Sequence, residues 1–195
     1  MQLLYLHGFN SSPRSHKAQL TRQWLERTHP QASFVCPLIS PYPDEAMASL
    51  QRLAVDIEWP GALVVGSSMG GFYATWMSQT YDCPGVLINP AVRPWRGRDY
   101  LLGEQRNFHT GERYLFEAHH IEAFTHWDVD PLPAPEKLRV LLQTGDEVLD
   151  YRQAENKYRQ CRVTVEQGGD HAFQGLERYF DDIDQFWRQQ QQANL

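Results

Sequence analysis

Ala62-Leu63-Val64-Val65-Gly66-Ser67-Ser68-Met69-Gly70-Gly71 is an apolar run of strand length that passes directly into a small-residue turn. The turn matches the pattern G-x-S-x-G, and a helix is expected to follow it. At average composition such a pentapeptide arises by accident in roughly one chain of this length in fifteen. Its meaning therefore comes from its position between strand and helix, and from the added Gly71. A serine at the centre of such a turn is presented at the carboxyl edge of a sheet, where strand and helix backbones approach too closely for larger neighbours. Read this way, Ser68 is a candidate nucleophile. The next backbone N–H, that of Met69, starts a helix and can donate to a developing oxyanion. Ser67 is off the centre of the pattern and is expected to point away.

Working outward, similar short apolar runs recur at Leu3 to Leu6, Phe34 to Cys36, Val86 to Ile88, Leu138 to Leu142 and Val163 to Val165. Such runs read as strands buried on both faces. Between and after them, Leu50, Leu53, Ala54 and Ile57 keep helical spacing, as do Leu176, Tyr179, Phe180, Ile183, Phe186 and Trp187. Strands alternating with helices imply an α/β fold, a doubly wound and mainly parallel sheet of about six strands with right-handed crossovers. One connection breaks the rhythm. From Asn89 to Glu136 no strand-like run is evident, far beyond the usual link between elements. Residues 93–135 are expected to form a helical, cap-like insertion, rich in aromatic residues and ending at Pro131, Pro133 and Pro135. A pair of surface helices packed on the sheet edge is the alternative. No repeat or linker divides the chain, so 1–195 is expected to be a single domain.

A serine hydroxyl is a weak nucleophile near neutral pH and needs a base within hydrogen-bond reach, most often a histidine. His171 follows the last strand across Glu166-Gln167-Gly168-Gly169-Asp170, a loop flexible enough to carry a ring over the sheet edge, and it precedes the final helix. The acid that orients such a ring is expected at the end of the preceding strand. Gln143-Thr144-Gly145-Asp146-Glu147-Val148 supplies Asp146, with Glu147 and Asp150 as alternatives. The order Ser68, Asp146, His171 is that of the compact α/β-hydrolase fold. A second oxyanion donor is expected in the loop after the first strand, where His7-Gly8-Phe9-Asn10 makes the Phe9 N–H the candidate.

Composition narrows the function classes. The formal net charge is −6 and Lys and Arg are scattered, which argues against a nucleic-acid surface. The expected partner is a small molecule. Cys36, Cys83 and Cys161 lack metal-type spacing and read as reduced structural thiols. The pair His119-His120 is not read as a metal site, because adjacent side chains on a helix are expected to diverge. The N-terminus carries no export signal and no run reaches bilayer-spanning length, so a soluble cytoplasmic protein without membrane contact is expected.

Longer strings carry a resemblance. Leu6 to Pro13 (Leu-His-Gly-Phe-Asn-Ser-Ser-Pro), Val65 to Gly71, Ile88 to Pro94 (Ile-Asn-Pro-Ala-Val-Arg-Pro), Thr144 to Tyr151 and Gly168 to Phe173 look like the YqiA-like bacterial esterases over nearly the whole chain. Met69 and Asp170 stand where leucine and asparagine are expected, changes that keep the backbone N–H and the loop. The resemblance implies an α/β-hydrolase that cleaves acyl esters, with acyl thioesters, acyl-CoA among them, as further substrates and no cofactor. It assigns Ser68, Asp146 and His171 to nucleophile, acid and base. Because fold does not select reaction, two rivals stand beside it: a hydrolase of another bond type, and a non-catalytic ligand-binding protein on the same fold.

Overall fold

The computed structural model describes residues 2–59, 61–97 and 99–193. In chain order the main elements are β1 (Gln2–Leu6), α1 (His16–Thr28), β2 (Ser33–Val35), α2 (Pro43–Ala54), β3 (Leu63–Ser67), α3 (Met69–Tyr81) and β4 (Gly85–Ile88). Then come β5 (Gly103–Arg106), β6 (Arg113–Phe116), α4 (Ala118–Ala123), β7 (Leu138–Gln143), α5 (Tyr151–Lys157), β8 (Arg162–Glu166) and α6 (Phe180–Ala193). Six strands form one sheet in the order β2-β1-β3-β4-β7-β8, and every pairing in it is parallel.

Parallel strands need crossovers, and the helices that make them cover both faces. Side chains alternate accordingly. Leu4, Leu6, Val64, Leu87, Val140 and Leu142 meet Met47 and Leu50 of α2 and Phe72, Tyr73 and Met77 of α3. On the other face Leu3, Tyr5, Leu63, Val65, Val86 and Ile88 meet Trp24 and Leu25 of α1 and Phe180, Ile183 and Phe186 of α6. Trp24 stacks on Phe180 with ring centroids 5.0 Å apart. Each such large side chain contributes about 1.5–3 kcal/mol of burial. β3 is buried along its whole length, which is why Leu63-Val64-Val65 runs apolar without alternation.

The winding reverses next to β1: the chain moves outward to β2, then returns to β3 on the opposite side. In open parallel sheets the crevice outside the strand ends at such a reversal is where ligands bind. Here it lies between the ends of β1 and β3, where the loop from His7 meets Ser68.

Residues 93–135, of which Arg98 lies outside the described residues, differ from a strandless helical insertion. They hold an antiparallel hairpin, β5 paired with β6, followed by only one short α-helix and a 3-10 turn. Gly103-Glu104-Gln105-Arg106 contains no apolar side chain and is only partly buried, so it leaves no strand-like run. The hairpin forms because its turn is well made. The Asn107 side chain accepts the N–H groups of His109 and Thr110, and Gly111 takes a left-handed φ of 78°. Asn107 also donates to the Ser11 carbonyl at 3.0 Å, and the Tyr114 hydroxyl to Asn10 at 2.5 Å. Phe116, fully buried, meets Phe9 edge-on at 5.5 Å. The hairpin is thus fastened to the loop after β1. No helix among the described residues is long and apolar enough to cross a membrane.

Candidate active site

Ser68 connects β3 to α3 with φ 56° and ψ −122°. A non-glycine residue held in a sparsely populated region costs about 1–3 kcal/mol and persists only where its surroundings fix it. Three backbone bonds do so: Ser68 N–H donates to Ile88 O at 3.0 Å, and Ser68 O accepts from Gly71 and Ala91, both at 2.9 Å. A Cβ at Gly66 would overlap the Gly70 carbonyl, and one at Gly70 would overlap that of Leu6. Glycine is required at both positions for the turn to close against the sheet.

The other sequence-selected residues converge on this serine. His171 Nε2 lies 3.0 Å from Ser68 Oγ, and its Nδ1 lies 2.9 Å from each oxygen of Asp146. The Asp146 side chain is only 2% exposed. Burial alone would push its carboxyl up, but hydrogen bonds from His171 and from the Leu149 and Val148 N–H groups outweigh that and hold it below the usual carboxylate range. An ionised acceptor on this side sets the ring with Nδ1 as donor and leaves Nε2 free to accept the Ser68 proton. The two alternative acids stand elsewhere. Glu147 accepts the backbone N–H of His171 at 3.0 Å, and Asp150 caps α5 through Arg152 N–H. Ser67 is buried beside the Tyr5 hydroxyl.

The loop after β1 is set by His7, which is buried, donates from Nδ1 to Gly8 O at 2.9 Å and accepts the Ile39 N–H on Nε2 at 3.0 Å. Burial holds its pKa down, which keeps the acceptor nitrogen available at neutral pH. A Cβ on Gly8 would stand 3.3 Å from Ser68 Cβ and 3.7 Å from Oγ, so the loop lies directly on the serine. The N–H groups of Phe9 and Met69 have no hydrogen-bond partner among the described residues.

Two buried amides escaped sequence reasoning. Asn89, at the end of β4, donates to the carbonyls of Asp170 (3.0 Å) and His171 (3.4 Å) and accepts the Gln143 N–H at 2.9 Å. Gln143, at the end of β7, accepts the N–H groups of Asp170 and Gln174 and donates to Glu166 and to Gln174 O. Together they tie the His171 loop to two strand ends. A polar residue closing a buried apolar strand was the available signal. Breaking such buried bonds costs about 1–3 kcal/mol, so Asn89→Ala is expected to lower kcat roughly tenfold with KM little changed. Steady-state kinetics on a p-nitrophenyl ester check this; a rise in KM at constant kcat would assign Asn89 to substrate binding instead.

Two clefts meet at Ser68 and His171. One, of about 360 Å³, is walled by Phe9, Met69, Ala91, Leu149 and, from the insertion, Leu101 and Phe108. Phe108 is 85% exposed, an apolar ring standing at the cleft's mouth. The other, of about 280 Å³, is walled by Tyr5, Phe9 and Ala172 together with Ser11, Ser15, His16 and Lys17.

His119 and His120 do not diverge as expected: their ring centroids lie 3.8 Å apart. They sit in the capped first turn of α4, where the His120 ring folds back to accept the Glu117 N–H on Nδ1. With Glu117 they bring metal-ligating atoms within 4.8 Å of one another, although that capping bond already occupies one ring nitrogen.

A family model described as an uncharacterised protein family, UPF0227, matches residues 2–188. Among solved structures, the chain is similar to Est1E from Butyrivibrio proteoclasticus at 12% identity and a TM-score of 0.72, over 97% of this chain and 87% of that one. It is similar to mouse alpha/beta hydrolase domain-containing protein 10 at 15% identity and a TM-score of 0.76, over 96% and 90%. It is also similar to the Pyrococcus furiosus esterase Pf2001 at 14% identity and a TM-score of 0.62, over 96% and 80%. At these identities the shared property is the α/β-hydrolase fold.

Proposed function

The chain belongs to the UPF0227 family, the YqiA-like family, and we propose that it is a serine esterase that hydrolyses acyl esters or acyl thioesters through an acyl-enzyme intermediate. The observation that carries this is the hydrogen-bonded series Asp146, His171, Ser68, at 2.9 and 3.0 Å, opening onto an apolar cleft. One of the structural neighbours, Pf2001, is named an esterase.

In the proposed reaction Ser68 Oγ attacks the acyl carbonyl while His171 Nε2 takes its proton. The new imidazolium is stabilised by Asp146, and the carbonyl oxygen, now negative, takes hydrogen bonds from the Phe9 and Met69 N–H groups. One such donor is worth about 3–4 kcal/mol of barrier. The tetrahedral species collapses, the bond to the alcohol or thiol breaks, and His171 returns its proton to that leaving group. Water, deprotonated by the same ring, then attacks the acyl-serine and releases the acid. The apolar cleft takes the acyl chain. A metal or cofactor has no step to perform in this scheme.

The three cysteines are free, and burial pushes each thiol up to about 12. Free cysteines, with no disulfide among the described residues, fit our placing the protein in a reducing compartment, the cytoplasm.

Stopped-flow mixing with p-nitrophenyl octanoate tests the two-step scheme. A burst of p-nitrophenol approaching one equivalent per active site, followed by slower steady release, is expected. Failure to find any acyl adduct by mass spectrometry after rapid acid quench, in an enzyme that turns over, would contradict it.

A further inference from the structure

The two clefts at Ser68 differ in chemistry. The larger one is lined mainly by apolar side chains, with Asn10 and Gln105 among them; the smaller has apolar walls too, in Tyr5, Phe9 and Ala172, but it alone holds an ammonium, that of Lys17, beside Ser11, Ser15 and His16. An ester has two ends. With its acyl chain in the larger cleft and its carbonyl at Ser68, the alcohol or thiol part is left to the cleft that holds Lys17.

Lys17 gives that arm its character. It lies in the first turn of α1, half-buried, and its Nζ donates to the Ala172 carbonyl at 2.8 Å, one residue beyond His171. That bond fixes the ammonium beside the catalytic loop and uses one of three donors. Among the described residues no carboxylate pairs with it directly; Asp170 and Asp146 act on it only through longer-range attraction. Burial holds its pKa down to about 8, so the charged form still prevails at pH 7. A partly desolvated cation with unused donors, facing a cleft at the nucleophile, is completed by an anionic oxygen group. It matters more in a chain of net charge −6, where a cation at the nucleophile offsets an overall negative charge.

We propose that the Lys17 arm is a leaving-group subsite, selecting acyl esters or thioesters whose alcohol or thiol part carries a phosphate or carboxylate a few bonds from the scissile linkage. The subsite rests on the serine-esterase function proposed above and narrows its substrate class.

Three octanoyl esters that share the acyl chain test it: those of ethylene glycol, of ethylene glycol monophosphate and of glycolate. A hydrogen bond to a charged group is worth about 1.5–3 kcal/mol, so kcat/KM for at least one anionic ester is expected to exceed that of the neutral ester about tenfold or more. The ratio should fall to about one in Lys17→Met and persist in Lys17→Arg. Which anion gains more distinguishes phosphate from carboxylate. Equal kcat/KM for all three in the wild type would overturn the subsite. So would a Lys17→Met protein in which all three fall in proportion, since Lys17 would then only hold the Ala172 carbonyl. If no ester turns over, the serine-esterase function has failed, and titration calorimetry of the same esters on Ser68→Ala reads the arm separately. Tighter binding of an anionic ester, lost on adding Lys17→Met, would support the arm, and equal binding would overturn it.

Discussion

Ser68→Ala is expected to lower kcat for ester hydrolysis by about six orders of magnitude, the loss seen when a nucleophile that acts as a unit with its base is removed. The fold should survive, because the hydroxyl's one side-chain hydrogen bond is to His171, at the cleft, while the turn is held by the backbone bonds to Ile88, Gly71 and Ala91. Adding His171→Ala to Ser68→Ala should cost little more, since the ring has no proton to take once the hydroxyl is gone. Kinetics on the single and double variants, with circular dichroism to confirm folding, provide the check. A Ser68→Ala protein retaining a tenth of wild-type turnover would place the nucleophile elsewhere.

Asp146→Asn is expected to lower kcat about ten-thousandfold, the size found when the acid of such a triad becomes an amide. The asparagine keeps an oxygen for the Val148 and Leu149 N–H groups, so the loop should hold. Its amide nitrogen, however, would donate to His171 Nδ1 and force the ring proton onto Nε2, where it can no longer accept from Ser68. Glu147→Gln is the control. Its side-chain oxygen still accepts the His171 N–H, and turnover should stay within a few-fold. The acid limb of stability separates the two as well. The Asp146 carboxyl is held below its ordinary 3.8 in the folded protein. Its contribution is therefore fully present above that value and lost as pH falls through the lower folded pKa. Urea unfolding between pH 5 and pH 2 should show a smaller acid loss in Asp146→Asn than in Glu147→Gln.

Much of this site was legible because topology constrains it. Ser68, Asp146 and His171 each follow an apolar strand run, and a parallel sheet delivers all its strand ends to one edge. Ser68 needed in addition only the glycines on either side, whose absent side chains the structure explains atom by atom. The β5–β6 hairpin was not legible. Its strands are short, one has no apolar residue, and it is held by contacts from Asn107 and Tyr114 to the distant loop after β1. Asn89 and Gln143 were hidden for a related reason: an amide shows its value only through its partners, and theirs come from three separate segments. Lys17 is hidden most completely. In sequence it is an ordinary residue near a helix start; its place at the cleft depends on a bond to Ala172, at the far end of the chain. The histidine pair misled because general helix geometry separates neighbours, whereas the cap at Glu117 turns the second ring back.

Treatment of the folded wild-type protein with a fluorophosphonate, followed by peptide mapping of the adduct, asks which side chain is the nucleophile. If Asp146 and His171 activate Ser68, one phosphonate per chain is found on Ser68, and labelling slows sharply in Asp146→Asn. An adduct on Ser67 or on another residue, or an unlabelled Ser68 in a protein that still hydrolyses p-nitrophenyl esters, would contradict that assignment.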